Sequence, residues 1–184
     1  DRICISDWSD KMIKIIKGNI LEQKTEAIVN TVNCVGVMGR GIALSFREAY
    51  PENYREYKKA CDKGEVVPGR MFVHFAGDIF SKKYIINFPT KRHWKGKSRI
   101  EDIRSGLVDL VSVIKELHIK SVTIPPLGCG LGGLDWKVVR PIIESALKEL
   151  SGVEINIIEP EPSFKIQRQK TARSEKTKLT NGRA

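Results

Sequence analysis

Apolar positions along the chain alternate between two periods. Met12-Ile13-Lys14-Ile15-Ile16-Lys17 and the shorter Ala27-Ile28-Val29-Asn30 are runs rich in β-branched residues and predict strands. Met71 to Ala76, Tyr84 to Phe88, Ser121 to Pro125 and Val153 to Glu159 predict four more. Helical spacing fills the gaps between them. One helix is expected from about Gly41 to Tyr50. Pro51 stops it and can open the next, because proline at a first helical position loses no hydrogen bond. That second helix should run to about Asp62 and end near Gly64. Ile103, Leu107, Leu110, Ile114 and Leu117 recur at spacings of 4, 3, 4 and 3, which is one face of a third helix. Ser98-x-x-Glu101 ahead of it reads as a capping box. Asp135 reads as the N-cap of a fourth helix, Trp136 to Leu150. Pro160 and Pro162 end regular structure.

Strands alternating with helices predict an α/β domain around a largely parallel or mixed sheet. Ligands bind such sheets in the crevice at the carboxyl ends of the strands. Two glycine-rich loops follow strands and should therefore meet at one edge of the sheet. One is Asn33-Cys-Val-Gly-Val-Met-Gly-Arg-Gly-Ile-Ala43, the other Pro125-Pro-Leu-Gly-Cys-Gly-Leu-Gly-Gly-Leu134. Glycine lets the backbone approach a ligand closely, and inward N–H groups there or at a helix N-terminus form an anion site. Two such loops face to face suit a diphosphate; the alternative is two tight turns. Neither loop is a Walker A, and neither is read as a dinucleotide fingerprint, so a P-loop NTPase and a Rossmann dehydrogenase are disfavoured.

Composition narrows the class. Hydrophobic residues make up 41% and charged residues 29%, ordinary proportions for a globular domain. At 184 residues the chain can bury a core without staples. No apolar run approaches the roughly 18 residues of a membrane span, and no signal-peptide core stands near the start. A cytoplasmic, non-membrane protein is the expectation. Cys4, Cys34, Cys61 and Cys129 are scattered without a C-x-x-C pair, which fits reduced thiols and gives no zinc or redox motif. No metal or other cofactor is expected. The net charge of +10 is uneven. Residues 163–184 carry seven Lys or Arg against Glu175 alone, a net +6, leaving +4 for the first 162 residues. That segment reads as a basic tail or linker, either solvated or in non-specific contact with nucleic acid. Residues 1–11 break the pattern that begins at Met12 and read as upstream of the domain, which is bounded at 12–162.

Three stretches, in order, resemble macrodomains over about residues 12–160. They are Gly18-Asn19-Ile20, Asn30-Thr-Val-Asn33 running into Gly36-Val-Met-Gly-Arg-Gly-Ile-Ala43, and Pro126-Leu-Gly-Cys-Gly-Leu-Gly-Gly-Leu-Asp-Trp136. Within that superfamily Asn87-Phe-Pro-Thr-Lys-Arg-His-Trp94 is similar to the macrodomains of the DarG antitoxins. These reverse the ADP-ribosylation of thymidine in single-stranded DNA by their DarT toxins. The resemblance implies a three-layer α/β/α fold with a mixed, roughly six-stranded sheet. It also implies hydrolysis of the N-glycosidic bond between ADP-ribose and a DNA base. Its partners would be ADP-ribose, ADP-ribosylated single-stranded DNA and a DarT-like toxin.

The resemblance also assigns roles. Asn19 and Ile20 stand where macrodomains meet the adenine, although the family more often has Asp at the first position; a strand-end cap is the plain alternative for Asn19. Asn33 stands at the distal ribose, or is a turn residue bonding its own backbone. Gly39, Gly41, Gly128, Gly130 and Gly132 fall in the diphosphate and distal-ribose loops, with Gly36, Val37, Met38, Ile42, Thr90, Cys129 and Leu131 beside them. Arg40 reads as a solvated charge. Lys91 matches the catalytic lysine of this subgroup and of a related human glutamate-ADP-ribose hydrolase. A neutral amine there can attack the anomeric carbon, which requires a depressed pKa through desolvation or through cations such as Arg92 and Lys95. The human relative assists its lysine with an Asp; the aligned residue here is Gly132, and Asp135 is the nearest carboxylate in that loop. Trp94 can stack on an extruded base or sit in the core, and His93 can donate to a phosphate or be structural. Two rival functions stay open: a non-catalytic ADP-ribose reader, and a hydrolase of protein-linked ADP-ribose. DarG antitoxins usually carry a second, C-terminal domain, for which the residues after Pro162 give no room; a truncated chain ending in a linker and a single-domain relative both stay open.

Overall fold

The computed structural model describes residues 13–161. The upstream segment 1–11, Met12 and the basic tail 163–184 lie outside the described residues. The described chain runs β1 (Ile13–Ile16), β2 (Ala27–Asn33), α1 (Gly41–Ala49), α2 (Pro51–Asp62), β3 (Phe72–Phe75), β4 (Tyr84–Lys91), α3 (Ile100–Glu116), β5 (Ser121–Ile124), α4 (Trp136–Leu147) and β6 (Glu154–Ile158), with a single 3-10 turn at Ile20–Glu22. The six strands form one sheet in the order β1-β6-β5-β2-β4-β3. All neighbours pair parallel except β3 with β4. The mixed six-stranded sheet expected above is present. Among the described residues no helix is long and apolar enough to cross a membrane.

The strand alternation sorts side chains onto two faces. Val29 and Phe88 join the α3 and α4 positions Leu107, Leu110, Val139 and Ile143 in one core. Ile28 and Ile85 face the other way, onto Phe46 of α1, while Val32 packs with Met38 and with Tyr57 of α2. Helices therefore cover both faces. This is why β2 and β4 read as nearly continuous apolar runs rather than alternating ones. The exceptions are polar and paired. Asn87 Oδ1 accepts from Asn30 Nδ2 at 3.0 Å and from Asn53 Nδ2 at 3.3 Å, while Asn87 Nδ2 donates to Asn53 Oδ1 at 2.7 Å and to the Phe72 carbonyl at 3.1 Å. This fully buried cluster ties β2, β3, β4 and α2 together at one level of the sheet.

α3 comes unusually close to β4 at Gly106. A Cβ there would lie 2.3 Å from the Phe88 ring. Gly106→Ala should therefore cost about 1–3 kcal/mol of stability, the range for overpacking a filled core, even though alanine is the better helix former. A urea titration monitored by circular dichroism would measure it.

Most ends fall within a residue of expectation, and the larger differences are these. β2 and β4 each run three residues further, to Asn33 and Lys91. α4 stops at Leu147 rather than Leu150, and the Ser98–Glu101 capping box does not form. Arg99 is the N-cap of α3 and supplies no side-chain hydrogen bond. The Ser98 N–H instead donates to the Gly132 carbonyl at 3.0 Å, which draws Ser98 onto the second glycine loop. Asp135 does cap α4, accepting from the Lys137 N–H at 3.0 Å.

Candidate active site

β2, β4 and β5 are parallel and adjacent, so their carboxyl ends open on the same edge of the sheet. A cavity of about 640 Å³ lies there. Its floor is made by the last residues of β2 (Thr31, Val32, Asn33) and β4 (Thr90, Lys91) and by Pro125 and Pro126 after β5. Val37, Gly39 and Arg40, with the first turn of α1, form one wall, and Gly128 with Gly130 to Gly132 form the other. The two loops nearly meet: a Cβ on Gly41 would stand 3.7 Å from Leu131 Cδ1. Trp94 stands at the rim.

The first loop is held from beneath. Met38 is completely buried against Val32 and Tyr57 and so pins the loop to α2. Asn33 holds the rest: its Oδ1 accepts from the N–H groups of Val35 at 3.0 Å and Val37 at 3.3 Å, and its Nδ2 donates to the Val37 carbonyl at 2.6 Å. The Tyr57 hydroxyl donates to the Asn33 carbonyl at 2.5 Å. The turn-forming bonds weighed for Asn33 are present, and the residue also lines the cavity floor. α1 then opens at Gly41, whose φ of +59° favours glycine, with no side-chain cap on its first amides. Gly41, Ile42 and Ala43 all line the cavity, so uncapped helix N–H groups face into it. Opposite, Gly128 sits at φ +70°. Contrary to expectation, Gly128, Gly130 and Gly133 do stand at the G-x-G-x-x-G spacing. A dinucleotide fingerprint, however, runs straight into its helix, whereas α4 starts only at Trp136 behind its Asp135 cap.

The position of Lys91 follows from a register shift. Val32 pairs with Pro89 but Asn33 pairs with Lys91, which leaves Thr90 as an extra residue on β4. Such a bulge re-aims the side chains after it. Here Thr90 and Lys91, consecutive residues that a regular strand would send to opposite faces, both line the cavity. Pro89 is tolerated because the β3 pairing ends at Asn87, so β4 has a neighbour on one side only at that level. Lys91 is partly buried, and its Nζ donates to the Trp94 carbonyl at 3.4 Å. Burial pulls its pKa below the usual lysine range. Desolvation alone does this. Arg92, expected to help, is engaged by both oxygens of Asp102 at 3.1 and 3.2 Å, and Lys95 lies over the Trp94 ring at 4.9 Å.

Several expected residues sit elsewhere. Asn19 and Ile20 are outside the cavity lining. Asn19 Oδ1 accepts from the Leu21 N–H at 3.0 Å as the cap of the 3-10 turn, and Ile20 is buried beside Phe46. Gly36 lies against Lys58 and Cys61 of α2, and Met38 is in the core. Cys129 turns away from the cavity, its Sγ donating to the Leu127 carbonyl at 3.4 Å, and burial pushes its thiol up to about 12. His93 is exposed, stacked on Trp94 at 5.6 Å between ring centres. Arg40, read as a solvated charge, lines the wall. Among the described residues, Arg40 and Lys91 are the ionisable side chains of the lining, with no Asp or Glu. An anion fits this electrostatic setting.

A family model described as the Macro domain matches residues 29–143. The chain belongs to the macrodomain family. A solved macrodomain of Mycobacterium tuberculosis DarG superposes with a TM-score of 0.79 at 52% identity, covering 81% of this chain and 98% of that one. The structure described as Thermosipho africanus DarTG in complex with ADP-ribose gives a TM-score of 0.76 at 33% identity, covering 80% of this chain and 41% of that one. Among curated proteins, the DNA ADP-ribosyl glycohydrolase of Thermus aquaticus is 51% identical over 149 residues, 81% of this chain. This chain spans only 41% of that relative's length.

Proposed function

We propose that this macrodomain hydrolyses the N-glycosidic bond between ADP-ribose and a DNA base, with Lys91 as the nucleophile. The observation that carries the reading is the bulge at Thr90, which sets a partly desolvated lysine amine on the floor of a cavity walled by two glycine-rich loops, a lining suited to a diphosphate. The uncapped first turn of α1 and the Gly128–Gly132 loop take the two phosphates, with Arg40 adding charge. The distal ribose then lies toward Asn33 and Lys91. Asn19 and Ile20 lie beyond the cavity, so adenine reaches them only at its outer end.

The neutral Lys91 amine attacks the anomeric carbon of the distal ribose. The bond from that carbon to the base nitrogen breaks, its electron pair goes to the base, and the base takes up the proton that the amine gives up. Water then adds to the sugar–lysine adduct and releases free ADP-ribose and the amine. A transferase that places ADP-ribose on DNA is the partner this activity calls for, in a cytoplasmic setting.

Trp94 is 49% exposed at the cavity rim and suits stacking on the base next to the scissile bond. Trp94→Ala should raise KM for a modified oligonucleotide about tenfold with little change in kcat, since base–aromatic stacking is worth roughly 1–3 kcal/mol. A second reading has its own observation in favour. The wall holds no carboxylate to activate water, which suits a reader that binds ADP-ribose without cleaving it.

The test offers an oligonucleotide with ADP-ribose on thymidine and a peptide with ADP-ribose on glutamate, and follows free ADP-ribose. Release from the oligonucleotide is expected. Release from the peptide alone reassigns the substrate, and ADP-ribose binding without release from either leaves the reader.

A further inference from the structure

The segment joining β4 to α3 reads Arg92-His-Trp-Lys-Gly-Lys-Ser-Arg99, with four cations and no acid. Arg92 is spoken for by Asp102. Lys95, Lys97 and Arg99 are exposed, and none has a carboxylate partner among the described residues. The first acid that follows is the exposed Glu101 in the opening turn of α3. Unpaired cations on a surface are ordinary when the segment is loose, but this one is fixed at both ends and in the middle. The Lys95 N–H donates to His93 Nδ1 at 3.2 Å, the Gly96 N–H to the His93 carbonyl at 3.0 Å, and the Ser98 N–H to the Gly132 carbonyl at 3.0 Å. The last bond joins the segment to the loop that walls the cavity. Lys97 lies along that loop, its Cδ 4.0 Å from where a Gly133 Cβ would be. The segment thus forms a ledge that starts at the rim, on the stacked His93 and Trp94 rings, and leads away beside the second glycine loop.

We propose that this ledge is the track for the nucleic-acid strand on either side of the modified base. Trp94 takes a base face as Lys95, which lies over its ring at 4.9 Å, swings onto a phosphodiester, and Lys97 and Arg99 take the next ones outside the cavity. This pairing of an aromatic platform with a row of cations is how proteins hold single strands without reading sequence. With the backbone of the segment held in place before binding, only the side chains have to be ordered on meeting phosphates. The proposal rests on the glycohydrolase reading only for where the modified base sits. It adds that the substrate is recognised as a strand and not as a lone nucleoside.

Binding of an unmodified, fluorescently labelled single-stranded oligonucleotide would be measured by anisotropy across a salt series, for the parent and for Lys97→Gln/Arg99→Gln. The variant should bind at least about fivefold more weakly. Each phosphate contact contributes about 0.7 to the slope of log affinity against log salt, so two lost contacts flatten it by roughly 1.4. Folding of the variant is checked by ADP-ribose binding, which uses the cavity alone. Equal affinity and equal slope in parent and variant overturn the track. Because this readout needs no turnover, it decides the matter even if the glycohydrolase reading fails. If that reading holds, the variant also loses most of the preference for an ADP-ribosylated oligonucleotide over the ADP-ribosylated nucleoside.

Discussion

Lys91→Ala is expected to lower ADP-ribose release from modified DNA by at least about a thousandfold, the scale on which removal of a covalent nucleophile acts, while ADP-ribose itself still binds. Two features separate the outcomes. Lys91 lies at the end of β4, and among the described residues its Nζ bonds only the Trp94 carbonyl, so truncation leaves the strand pairing and both glycine loops in place. The phosphate contacts assigned to α1 and to Gly128–Gly132 are backbone contacts and do not depend on it. Lys91→Arg keeps the charge but offers no neutral amine, because guanidinium does not deprotonate in proteins, and it should be as inactive as the alanine variant. A variant that cleaves within tenfold of the parent would remove the nucleophile from the mechanism and leave substrate-assisted attack by water.

The pH profile supplies an independent readout of the same residue. The attacking species is the neutral amine, so the rate should rise with pH and level off above the Lys91 pKa. Desolvation disfavours the ammonium and lowers that pKa, so the plateau is reached below the ordinary lysine value of about 10.4. The limb should be single, because no carboxylate or histidine shares the cavity wall. It should vanish in Lys91→Arg. Trapping of a sugar–protein adduct with borohydride, which reduces an imine to a stable amine, should succeed with the parent and fail with both variants.

The elements themselves were legible because each carries its own punctuation. Pro51 opens α2, Asp135 caps α4, and β-branched runs mark the strands of a sheet buried on both faces. The loops' meeting at one edge followed from parallel strands alone. What escaped was whatever depends on two segments at once. The bulge that turns Lys91 into the cavity is a mismatch between β2 and β4, and no one-strand pattern shows it. Ser98 looks like a capping serine by spacing, but a glycine loop some thirty residues on claims it. Asn33 could be read either as a turn residue or as a ligand contact, and only the positions of Val35, Val37 and Tyr57 show where its bonds go. Arg92 looked like a neighbour able to depress Lys91, and its partner Asp102 lies on the following helix.

Gly132→Ala is expected to abolish useful ligand binding, and the same geometry bars from this position the acid that the resemblance places there in a human relative. A Cβ on Gly132 would stand 2.2 Å from Ser98 Oγ and 2.3 Å from the Gly128 carbonyl oxygen. The first contact can be relieved by rotating a hydroxyl; the second is backbone against backbone. Relief requires the Gly128–Gly133 turn to open. That breaks the bond from the Leu134 N–H to the Gly128 carbonyl at 3.0 Å and moves the N–H groups facing the cavity. Two hydrogen bonds to a charged phosphate, worth about 1.5–3 kcal/mol each, are lost, so ADP-ribose affinity should fall a hundredfold or more by calorimetry. Gly132→Asp meets the same clash before its carboxylate can serve any purpose, so it should bind as poorly and gain no activity. Gly130→Ala separates the two effects, since a Cβ there meets no protein atom within 4 Å: the turn keeps its shape, and any loss of affinity reports contact with the ligand itself. A Gly132→Asp variant that binds normally and turns over faster would show that the loop yields, and that the missing carboxylate, rather than loop geometry, limits the proposed hydrolysis.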